Sequence, residues 1–268
     1  MTMRTGLAAL AMIGASAATA APEPMGSYVA LGSSYAAGVG LGPVLADAPA
    51  ICGRTALGYP QRVARDLRLR LLDASCGGAT VEQIVATGQG GLPPQIAAVR
   101  GDATLVTITA GGNDVDYVGD MIHTAATHDP GAMLRPAGLR PFDTLRKRLQ
   151  TMFAQIRSRA PHARIVIVTY PAVLPRQGSC DALGLTPAQV ATLRAVADRL
   201  AVVTRETARA AGAAVVDMAA ASQDHDACSA VPWTNGAHPA TGAAFHPDAA
   251  GAAATAQAVE ALLAARSA

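Results

Sequence analysis

Residues 28–40 read YVALGSSYAAGVG, a strand breaking into a serine-bearing loop. Four apolar residues, Tyr28 to Leu31, run into Gly32, two serines, and a loop of small residues spaced by Gly38 and Gly40. A short apolar run that breaks at glycine reads as a buried strand, and a serine just past its end stands where an α/β enzyme presents a nucleophile. Four further runs of the same kind follow: Leu69 to Asp73, Thr104 to Thr109, Arg164 to Thr169 and Ala213 to Asp217. Between them lie stretches of helical periodicity, Pro60 to Leu67, Phe142 to Arg159, Pro187 to Ala211 and Pro247 to Ala265. Strands alternating with helices imply a parallel sheet covered on both faces. The expected fold is therefore α/β, with three layers. Thr186-Pro187 and His246-Pro247-Asp248 carry the cap, proline and acid that start helices.

Composition narrows the rest. A length of 268 residues fits one domain with a large core, and 51% apolar content with only 3% aromatics means a core built mainly from Ala, Val, Leu and Ile. The net charge of +2, without a Lys/Arg block, offers no electrostatic footprint for nucleic acid or an anionic membrane. Arg4, the apolar stretch Leu7 to Ile13, and Ala18-Thr19-Ala20 read as a secretory signal peptide over residues 1–20, leaving 21–268 as a single domain. The apolar run is shorter than the roughly 20 residues that span a bilayer, so stable membrane insertion is not expected. The expected location is outside the cell or in its envelope, and the expected state is a monomer. Cys52, Cys76, Cys180 and Cys228 are an even set in an exported chain, which favours disulfides with three possible connectivities. Sequential pairing, Cys52 with Cys76 and Cys180 with Cys228, is the expectation. Their spacing does not suggest zinc.

Ligands of open parallel sheets sit beyond the carboxyl ends of the strands. Four loops lie there. In the first, Ser34 competes with the simpler role of a turn or capping serine, and Ala36 rules out the GxSxG elbow. The second, Cys76-Gly77-Gly78-Ala79-Thr80, can line an anion with backbone N–H groups. The third, Ala110-Gly111-Gly112-Asn113-Asp114, offers an Asn side chain as an oxyanion donor, with Asp114 expected to cap the next helix. The fourth contains His238-Pro239 and His246-Pro247, of which His246, set directly before a helix, is the better general base.

Taken in order, these blocks resemble those of the SGNH, or GDSL-type, hydrolase family. The family's Gly-Asp-Ser stands here as Gly32-Ser33-Ser34, its oxyanion glycine as Gly78, its Gly-x-Asn-Asp as Gly111 to Asp114, and its final His-Pro as His246-Pro247. The likeness runs from about Tyr28 to Gly251 and is closest to disulfide-bonded secreted actinobacterial esterases and lipases. It implies a flavodoxin-like α/β/α sandwich with a five-stranded parallel sheet. It further implies a serine hydrolase of small-molecule or lipid esters that needs no metal or cofactor. Ser34 would be the nucleophile and His246 the general base, with the N–H groups of Ser34 and Gly78 and the side chain of Asn113 as the oxyanion hole. Two departures stand out: Ser33 replaces the acid of the first block, and Ala243 replaces the acid that would orient His246. The resemblance offers the backbone carbonyl of Ala243 for that task, and Trp233 and Phe245 are expected as an acyl-binding wall. A carbohydrate O-acetyl esterase or phospholipase fits the same blocks, and a binding protein that has lost catalysis fits the two missing acids.

Overall fold

The computed structural model describes residues 26–265 and Thr2. Except for that one threonine, the expected signal peptide at 1–20 lies outside the described residues. All five expected strands form: β1 (Ser27–Gly32), β2 (Arg70–Asp73), β3 (Ala103–Thr109), β4 (Arg164–Val168) and β5 (Ala214–Val216). Every pairing is parallel, in the order β2-β1-β3-β4-β5. In that order the chain leaves β1 to opposite sides for β2 and β3. The crevice above the β1/β3 boundary is therefore the topological switch point where ligands bind.

Seven α-helices, with six short 3-10 or π turns between elements, cover the sheet in the described residues: α1 (Ser34–Ala37), α2 (Tyr59–Asp66), α3 (Tyr117–Thr127), α4 (Phe142–Arg159), α5 (Pro187–Ala210), α6 (Met218–Ala221) and α7 (Ala249–Ala264). Alternation along β1 separates two cores. Val29 and Leu31 pack on the face covered by Leu145, Leu149 and Leu200 of α4 and α5, whereas Tyr28 and Ala30 meet Val63 of α2 and Val259 of α7. All three phenylalanines, Phe142, Phe153 and Phe245, are fully buried, so the scarce aromatic volume is spent on the interior.

Local chemistry sets the helix ends. Thr186 and Gln189 close a reciprocal capping box at the start of α5. Asp248 accepts from Gly251 N at 2.8 Å while its own backbone stays extended, so α7 starts at Ala249 and not at Pro247 as the proline suggested. Asp114 does not cap the following helix; Asp116 stands at the start of α3, and Asp114 Oδ2 accepts from Val81 N at 2.9 Å instead. Both expected disulfides, Cys52–Cys76 and Cys180–Cys228, are formed. No described helix is long and apolar enough to cross a membrane.

Candidate active site

The site is assembled from loops that leave the carboxyl ends of β1, β2 and β3 and from the turn before α7. Gly32 ends β1 at φ +137°, and a Cβ there would fall 2.3 Å from Thr109 O, so only glycine lets β1 lie this close to β3. Two residues on, Ser34 is the first residue of α1, where a backbone N–H has no intrahelical acceptor. Its Oγ lies 2.8 Å from His246 Nε2, across 212 residues of sequence.

The other ring nitrogen of His246, Nδ1, meets the carbonyl of Ala244 at 2.7 Å. This corrects the expected partner: the Ala243 carbonyl is already occupied, accepting His246 N at 3.2 Å and Asn235 Nδ2 at 3.1 Å. Phe245, at φ +58°, turns the backbone between Ala244 and His246. An Nδ1–H donated to that carbonyl leaves Nε2 as the acceptor facing Ser34, the tautomer a general base needs. His246 is only 7% exposed, and burial pushes its pKa below the ordinary histidine value, against a smaller opposing effect of the Ala244 bond. The ring is thus held neutral and ready to accept a proton.

The residues expected as oxyanion donors, Gly78 and Asn113, lie in the second and third loops. Gly78 has φ +78°, and no acceptor for its N–H or that of Ser34 is present among the described residues. Asn113 Nδ2 donates to Ala79 O at 2.9 Å, which uses one amide hydrogen and ties the third loop to the second. The first loop is tied in turn: Cys76 N donates to Gly32 O at 3.0 Å and Ser33 N to Thr109 O at 2.9 Å.

Ser33, in the place of the missing acid, is fully buried and its Oγ lies 2.9 Å from Tyr170 Oη. The same phenol accepts from Gly112 N at 3.2 Å. Tyr170 therefore bridges the nucleophile loop to the Asn113 loop with neutral groups, and burial raises its pKa to about 12. Sequence reasoning missed Tyr170, because nothing local marks a tyrosine that acts 137 residues from its partner. It also missed Tyr35, whose ring lies 4.9 Å from the imidazole.

Of the expected acyl wall, Phe245 is 0% exposed within the main core and presents no surface to an acyl chain. Trp233 is half-buried, stacking on His225 at 3.9 Å and packing against the opposite core, the one holding Tyr28 and Val259. His238 faces His128 instead, with ring centroids 5.9 Å apart.

Comparison with known proteins identifies the family of the chain. Residues 30–254 match the GDSL-like Lipase/Acylhydrolase family. A lipase of Streptomyces rimosus is 33% identical over 247 residues, covering 91% of this chain and 89% of its own length. Lipase 2 of Streptomyces coelicolor is 34% identical over 229 residues, covering 81% of this chain and 77% of its own. Among solved structures, an extracellular lipase from S. rimosus superposes with a TM-score of 0.74 at 28% identity, covering 88% of this chain and 99% of that one. A phospholipase A1 from Streptomyces albidoflavus gives 0.71 at 27% identity, covering 88% and 98%.

Proposed function

The chain belongs to the GDSL-like lipase/acylhydrolase family, and from that premise we propose that this carboxylic ester hydrolase works through a Ser34–His246 dyad. The observation that carries the reading is the 2.8 Å contact between Ser34 Oγ and His246 Nε2, with the opposite ring nitrogen bonded to the Ala244 carbonyl. His246 takes the proton of Ser34 as Oγ attacks the ester carbonyl. The N–H groups of Ser34 and Gly78 and the side chain of Asn113 receive the oxyanion, each donor lowering the barrier by about 3 kcal/mol. The protonated imidazole then gives its proton to the departing alcohol, and water releases the acyl-enzyme by the same route. A backbone carbonyl in place of a carboxylate fixes the tautomer but adds less stabilisation to the imidazolium. The substrate is a small-molecule or lipid ester.

The enzyme acts outside the cytoplasm as a monomer. Two disulfides and the likeness to an extracellular lipase support the location. The test is hydrolysis of p-nitrophenyl esters by the purified protein and by Ser34→Ala. The variant should lose at least about ten-thousand-fold in kcat. Equal turnover by both proteins would remove Ser34 from the mechanism.

A further inference from the structure

The contacts around His246 carry an inference about what orients it, which rests on the reading of His246 as the general base. The Tyr35 hydroxyl donates to the carbonyl of Phe245, and its ring lies against the imidazole at an interplanar angle of 36°. That carbonyl belongs to the peptide joining Phe245 to His246, whose N–H is held by Ala243 O at 3.2 Å. The same turn keeps Phe245 in the left-handed region, which a bulky residue rarely adopts. No carboxylate among the described residues bonds the imidazole; Asp248, two residues on, is engaged as the cap of α7. We infer that Tyr35 is a positioning residue that substitutes for the missing acid, locking the turn from which Ala244 reaches Nδ1 and pinning the base to the residue next to the nucleophile.

Tyr35→Phe keeps the ring and frees the Phe245 carbonyl. It should lower kcat ten- to a hundredfold with KM within threefold, and the acid limb of kcat/KM should move to higher pH as water reaches the loosened ring. Tyr117→Phe is the control, since the buried Tyr117 hydroxyl has no partner among the described residues; it should change neither. An unchanged kcat in Tyr35→Phe, or a fall in kcat with the limb unmoved, would mark the tyrosine as packing only.

Discussion

At the scale of single residues, His246 joins burial to reactivity. Its imidazole is neutral in the fold because its surroundings cannot solvate the charged form, so its pKa lies below the ordinary value of about 6.5. The base is active when unprotonated. The acid limb of kcat/KM should therefore lie below about pH 6.5, and a pH–rate profile with a short-chain ester measures it; a limb above that value would contradict a buried neutral base. The sign for stability is the same. Below about pH 6.5 the unfolded chain binds the proton first, so this histidine lowers stability as pH falls toward its depressed native pKa. Asp73 and Asp114 have pKa values raised by burial and work in the opposite direction at lower pH. Ser34, Asn113 and His246 could be found from their neighbours in sequence. Tyr35 and Tyr170 could not, since each acts through contacts with residues far along the chain.

Among the elements, the loop after β2 shows how a covalent link serves a site. The Cys52–Cys76 bridge encloses 24 residues and the Cys180–Cys228 bridge 48, so the chain-entropy argument assigns them about 3.5 and about 4 kcal/mol. Stability alone would make the second bridge the more costly to lose. The first, however, ends beside Gly77 and Gly78, and Gly77 N donates to Cys52 O at 2.9 Å. The Cys52→Ser/Cys76→Ser variant should lose more kcat, and Cys180→Ser/Cys228→Ser at least as much stability in urea melts. The opposite order in kcat would detach the first bridge from the oxyanion loop. Helix α3 was the main element absent from the sequence reading. Its residues, YVGDMIHTAAT, have only a loose apolar stripe, and its start is marked by Asp116 at φ +54° without a side-chain cap. The capped helices α5 and α7 announced themselves through Thr186 and Asp248, although Asp248 moved the start of α7 past Pro247.

For the whole molecule, the sheet order puts the ends of β1 and β3 side by side at the switch point, which is where Ser34 and Asn113 stand. Five strands, the α/β class and the order of the four blocks were legible in the sequence, because each rests on local patterning or on residue types at short spacing, whereas the four cysteines allowed three pairings of which sequential pairing was only the expectation. Period-2 and period-3.6 apolar repeats state what is buried against what without naming the partner. The tertiary structure decided the rest. Only the packed turn before His246 shows that the Ala243 carbonyl is taken and that Ala244 faces the ring. Only the two cores show that Phe245 is enclosed and that Trp233 packs on the opposite side of the sheet from it. The physical reason is common to both: a hydrogen-bond acceptor or an aromatic face is claimed by whichever group approaches at bonding distance, and chain order does not record that competition.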